Sequence, residues 1–142
     1  MSRPLRPALA LALVLAAGCG SGRNWKYNEQ VEGAVKMDGA PVPNVLVRFV
    51  PDDPTVQGPT SSGYTDEKGN FTLTCENGKK GAVLAKHNVL VIAGRGPEEA
   101  GGGRRISIPP VYANPVQTPL QLEVTADKHT YDLALSRSAQ KR

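Results

Sequence analysis

Two thiols, two imidazoles and two carboxylate pairs are the groups in this chain with most chemical potential. Cys19 and Cys75 are the only cysteines, and His87 and His129 the only histidines. A thiol can take an acyl chain, ligate a metal or attack a carbonyl; an imidazole can act as ligand or base. The histidines lie far apart in sequence, and neither has a metal-ligand spacing. They read as two rim histidines, His87 opening a strand and His129 closing a turn. Ser61 and Ser62 have no evident base, and no Gly-x-Ser-x-Gly elbow occurs. Asp52-Asp53 and Asp66-Glu67 supply hard oxygens, but not in the count or order of a calcium loop. Asp66 is expected to cap its own turn on a backbone amide. No catalytic set, metal site or cofactor is expected.

Cys19 stands apart because of what precedes it. Arg3 and Arg6 give a positive start, and Ala8 to Ala17 is an apolar stretch of ten residues. A spanning helix needs roughly twenty, so this run suits a signal h-region before small cleavage-site residues. Leu15-Ala16-Ala17-Gly18-Cys19 resembles the lipobox of a bacterial lipoprotein signal peptide. That resemblance implies cleavage after residue 18 and a lipid on Cys19, the first mature residue. Ala16 stands where the motif more often has leucine. The plainer reading is an ordinary secretory signal cut near Ala17. Gly20 follows the cysteine; in that class an aspartate there favours the inner membrane, so the outer membrane is favoured where the cell has one.

The elements that must present these groups are strands. Without residues 1–18 the chain keeps 124 residues, enough for one core. The formal charge of +4 falls to +2 once Arg3 and Arg6 are removed. Basic pairs such as Lys79-Lys80 and Arg104-Arg105 are too thin for a nucleic-acid footprint. Residues 19–27 read as a lipidated start and tether, with Trp25 and Tyr27 placed either on the domain or at the lipid headgroups. Residues 28–136 read as the domain, and 137–142 as a disordered tail. Val31, Gly33, Val35 and Met37 alternate with polar positions, as in a half-buried strand. Asp38 to Pro41 is a turn. Val45, Val47 and Phe49 form the next inward face, up to Pro51. Ser61–Thr65 and Phe71, Leu73 and Cys75 form a hairpin around Asp66–Asn70, with Gly69 left-handed. Cys75 therefore reads as core.

His87, Val89, Val91 and Ala93, with Leu90 and Ile92 on the other face, mark a central strand. Gly94 to Arg105 is a glycine-rich loop, and Ile108 to Pro115 an extended connection. Leu120, Leu122 and Val124 and then Tyr131, Leu133 and Leu135 complete seven strands. An all-β, seven-stranded Greek-key sandwich is expected.

The motif order resembles the carboxypeptidase regulatory-like domain, a transthyretin-like (prealbumin-like), Ig-like β-sandwich. Asp38-Gly39-Ala40-Pro41-Val42-Pro43-Asn44-Val45 and Thr65-Asp66-Glu67-Lys68-Gly69-Asn70-Phe71-Thr72-Leu73 carry the likeness. Ile108 to Tyr112, Thr118-Pro119-Leu120 and Tyr131 to Leu135 are similar to segments of small bacterial lipoproteins built on this domain. Before the His87 strand, Leu84-Ala85 replaces the usual proline-glycine. The resemblance implies a non-catalytic accessory or adhesive module and names no ligand. Two enzymatic relatives of the sandwich do not fit. The chain ends Ser-Ala-Gln-Lys-Arg rather than in the Tyr-Arg-Gly-Ser type of hydroxyisourate hydrolases. Its histidines lack the one-residue gap of intradiol dioxygenases.

The expected function is a non-enzymatic lipoprotein whose sandwich contacts an envelope protein or polymer from a cell-envelope membrane. A carbohydrate-binding module is the alternative, with Trp25, Tyr64 and Tyr112 the available aromatics. A weak hydrolase or metal enzyme is the third reading. Binding candidates are Tyr64, Tyr112, Arg104 and Arg105; lipidation falls on Cys19.

Overall fold

The computed structural model describes residues 25–94 and 107–139. In chain order the strands are β1 (Tyr27–Asn28), β2 (Glu32–Met37), β3 (Ala40–Pro41), β4 (Val45–Pro51), β5 (Ser61–Tyr64), β6 (Asn70–Thr72), β7 (Thr74–Cys75), β8 (Ala82–Val83), β9 (Lys86–Ala93), β10 (Gln121–Glu123) and β11 (Leu133–Leu135). A short 3-10 helix, Pro110–Ala113, precedes β10. The fold is all-β. One sheet has the order β10-β9-β4-β5-β7, and a second is built on β2, flanked by β11 on one edge and by β6 and β3 on the other. β1 and β8 form a separate two-stranded ladder.

Alternation places the core where the side-chain period of two requires. Val35 and Met37 of β2 and Leu133 and Leu135 of β11 are buried, as are Val45, Val47 and Phe49 of β4 and Val89 and Val91 of β9. These residues belong to one apolar cluster drawn from both large sheets. That shared core is consistent with a β-sandwich. β9 lies between β10 and β4, the central place its two apolar faces demand. Cys75 is buried and forms no disulfide among the described residues, a core residue as expected.

Eleven strand segments occur among the described residues where seven were expected, and the surplus has local causes. Asp38 and Gly39, both at positive φ, form a two-residue hairpin loop between β2 and β3. Pro41 therefore extends the ladder by a residue opposite Lys36 instead of blocking it. It can do so because it lies on an edge, where no N–H is needed.

The hairpin expected across Asp66–Asn70 is only half made. The turn forms: Asp66 Oδ1 accepts from the Lys68 and Asn70 amides, each at 2.9 Å, and Gly69 has φ 79°. Beyond it the chain does not return to β5. β6 pairs with β2 in the other sheet, and pairing with β5 resumes only at β7. A Cβ on Gly63 would stand 2.1 Å from the Thr72 carbonyl oxygen, so the bare glycine lets β5 pass against the β6 backbone. This crossing sends Phe71 into the core against Phe49, with ring centroids 6.2 Å apart.

Three other boundaries move. The connection expected to be extended at Ile108 to Pro115 contains the 3-10 helix, started by Pro110, whose fixed φ suits a first helical position. Contacts with the fold start before residue 28, since the Lys26 carbonyl accepts from the Leu84 amide at 2.8 Å. The tail retains contacts as far as Ala139, which packs against the core. Arg137 meets Asp38 at 3.9 Å there, an exposed pair of little energetic weight.

Candidate functional site

Two surface clefts gather the side chains with most capacity for recognition. The first, about 540 Å³, lies between Trp25, Pro54, Val56 and Leu84. Trp25 is half-buried in it, so the ring is seated against the domain with part of its surface open. Tyr27 is also docked. Its hydroxyl accepts from Asn77 Nδ2 at 2.8 Å, and Lys79 Nζ lies 4.7 Å from the ring centroid. In the loop beside the cleft, the Thr55 hydroxyl donates to Asp53 and holds that carboxyl below its ordinary pKa.

The next residue in this docked segment, Asn28, carries no obvious signal in the sequence yet is 3% exposed. Its Nδ2 donates to the Thr125 carbonyl at 2.8 Å and the Lys128 carbonyl at 2.6 Å. Its Oδ1 accepts from the Gln30 amide at 3.1 Å and lies 3.0 Å from His129 Nδ1. A buried amide so fully satisfied fixes geometry strongly.

The second cleft, about 550 Å³, is lined by Glu32, Tyr64, Asn70, Thr72 and Asp132 among others. Tyr64 is 46% exposed, so the aromatic candidate on β5 is accessible. Two of the carboxylates here have structural duties: Asp66 caps its turn, and Asp132 Oδ1 accepts from the Ala34 amide at 3.2 Å. An aromatic face beside acceptor oxygens suits a hydroxyl-rich ligand better than a nucleophilic reaction.

Tyr112 is no surface platform. It is 3% exposed, and its hydroxyl accepts from the Ser136 amide at 2.8 Å. The 3-10 helix turns the ring inward, so Tyr112 is removed from the binding candidates. Cys19, Arg104 and Arg105 lie outside the described residues, as do residues 95–105 of the loop that starts at Gly94.

His87 also departs from expectation. It is not on the rim but 1% exposed, with its ring 5.7 Å from that of Phe49. Nε2 donates to the Val83 carbonyl at 2.8 Å, and Nδ1 has no partner among the described residues. Burial lowers its pKa below the ordinary 6.5, outweighing the opposing effects of the Val83 and Phe49 backbone. His129 is on the surface, near Asn28 and Gln30. Ser61 is fully buried, which withdraws it as a nucleophile. Among the described residues no group of three or more His, Cys, Asp and Glu is placed to hold a metal, and no helix is long and apolar enough to cross a membrane.

The depressed His87 pKa makes the fold acid-sensitive in a definite window. The unfolded imidazole takes up a proton as pH falls below 6.5, while the folded one resists. Stability is therefore full above 6.5 and falls as pH drops from there through the folded pKa, by at most about 1.4 kcal/mol per pH unit for one proton. Thermal unfolding between pH 7.5 and 5.5 should show this fall, and a His87→Leu variant should show a flatter profile. Identical slopes would exclude His87 as the cause.

Comparison with family models, with curated proteins and with solved structures finds no match to this chain. Its functional reading therefore rests on its own residues.

Proposed function

We propose that this protein is a non-enzymatic lipoprotein, anchored through Cys19 in a cell-envelope membrane and facing away from the cytoplasm. Its β-sandwich serves as an interaction or structural module for an envelope protein or polymer. The observation that carries this reading is the segment Leu15-Ala16-Ala17-Gly18-Cys19 behind two arginines and ten apolar residues. The start of the fold supports it. Only Gly20 to Asn24 separate Cys19 from docked Trp25, so the domain follows the modified cysteine with a short linker. The finer fold reading, a Greek-key domain of the carboxypeptidase regulatory-like type, belongs to the same proposal. Its two motif segments form the β2–β3 hairpin with the entry to β4 and the Asp66–Asn70 turn with β6.

Exchange of Cys19 for serine tests the anchor. Wild-type protein should sediment with membranes and carry acyl mass on its first mature residue; Cys19→Ser protein should lose both. Equal membrane fractions, with no acyl mass on the wild type, would refute the lipoprotein reading.

A second reading, a carbohydrate-binding envelope module, is favoured by one feature. Tyr64 is exposed beside Glu32, Asn70 and Asp132, an aromatic face with acceptors at its edge.

A further inference from the structure

The strand register gives the domain two distinct ends. On β4, Leu46 pairs with Tyr64, and Phe49 with Ser61. On β9, Ile92 pairs with Leu46, and His87 with Pro51. Tyr64 thus lies at the end where β4 begins and β9 finishes. Gly94 is there too, with its Cβ position 3.1 Å from the Tyr64 ring. The Trp25 cleft lies at the opposite end. It is lined by Pro54 to Gln57, just after β4, and by Val83 and Leu84, just before β9. From Leu46 to Pro51 alone the strand covers roughly 17 Å at about 3.3 Å per residue.

The chain outside the structure is short by comparison. Six residue steps link Cys19 to Trp25; a chain of that length averages about 13 Å end to end and reaches about 20 Å when fully stretched. Placing the Tyr64 end on the membrane would lift Trp25 by more than the strand length and demand a nearly straight tether, at the cost of most of its freedom. Placing the Trp25 end there demands nothing of the tether. Tryptophan is also the side chain that favours the headgroup layer, and exposed Lys26 next to it can extend its amine there. Charge is not the draw. Lys26, Lys79, Lys80 and Lys86 are matched at this end by Glu29, Asp52, Asp53 and Glu76.

We infer that the face formed by Trp25, Lys26, Pro54, Val56 and Leu84 is a lipid-contact surface that seats the domain on the headgroup layer and points Tyr64 away from the membrane. This orientation rests on the anchored reading above.

Trp25 is the only tryptophan, so its emission reports the position of this face. Acylated protein purified from membranes would be placed in phosphatidylethanolamine–phosphatidylglycerol vesicles containing a lipid with a nitroxide on its headgroup. Trp25 should lose most of its emission. In a Trp25→Phe/Tyr64→Trp variant, whose new ring occupies an exposed site, emission should be nearly unchanged. Equal quenching of the two reporters, or the reverse order, overturns the orientation while leaving the anchor intact. Protein that carries no acyl mass and does not float with the vesicles overturns the anchor, and the orientation with it.

Discussion

Replacing Gly81 with alanine should lower the stability of the domain by about 2–4 kcal/mol, a Tm drop of roughly 10–20 °C for a domain of this size. Two costs add. Gly81 has φ 87°, a left-handed conformation that costs an L-residue about 1–2 kcal/mol. The new methyl would also start 1.7 Å from the Asn28 carbonyl oxygen, with the Glu29 carbonyl carbon at 2.9 Å. Backbone must move, and that backbone belongs to β1, held against β8 by the Asn28↔Ala82 register. Gly78 isolates the conformational part, since it has φ 88° with nothing within 4 Å of its Cβ position. Gly78→Ala should cost only about 1 kcal/mol. Thermal melts of the two variants decide the matter. Equal losses would mean that the approach of Asn28 to Gly81 contributes nothing. A second reading of Gly81→Ala should be a red shift in Trp25 emission as the cleft loosens.

Phe49→Ala should cost about 3–5 kcal/mol, a large share of the 5–15 kcal/mol that stabilises a typical domain. Phe49 is fully buried on β4, and three rings surround it. Phe71 of β6 lies across the core at 6.2 Å, His87 of β9 at 5.7 Å, and Tyr131 meets it edge-on at 6.3 Å. Truncation would leave a cavity shared by both large sheets, with little backbone slack to close it. Phe49→Leu keeps most of the volume and should cost clearly less. Urea unfolding with unchanged m-values would measure both. A Phe49→Ala loss under about 1.5 kcal/mol would show that the sheets do not depend on this ring.

The parts of the fold legible in sequence were those where a two-residue period meets a single core. β2, β4, β9 and β11 carry their buried residues where alternation puts them. The misreadings have a common source: local patterns do not specify which sheet a segment joins. Phe71, Leu73 and Cys75 alternate perfectly, yet the chain changes sheets between Thr72 and Thr74 because Gly63 lets β5 approach the β6 backbone. His87 was illegible for a related reason. Its position on β9 was correct, but only the placement of Phe49 and Val83 around it makes a buried site for an imidazole. Tyr112 looked like a free aromatic because the Ser136 amide that binds its hydroxyl is 24 residues away. Of the candidate site, Tyr64 was legible because a polar, glycine-containing strand leaves its last residue exposed. Asn28 was not, since its carbonyl partners come from about 100 positions later.

Asn28 also decides how the domain bears mechanical load. A pull on the chain ahead of Trp25 reaches the two-residue ladder of β1 and β8 first, then the Asn28 side chain. That side chain fastens the front of the domain to the segment just before its last strand, so tension spreads to both termini of the fold before it reaches the sheets. A domain riveted in this way should resist fraying from its front end, because β1 cannot leave β8 without Asn28 also releasing the Thr125 and Lys128 carbonyls.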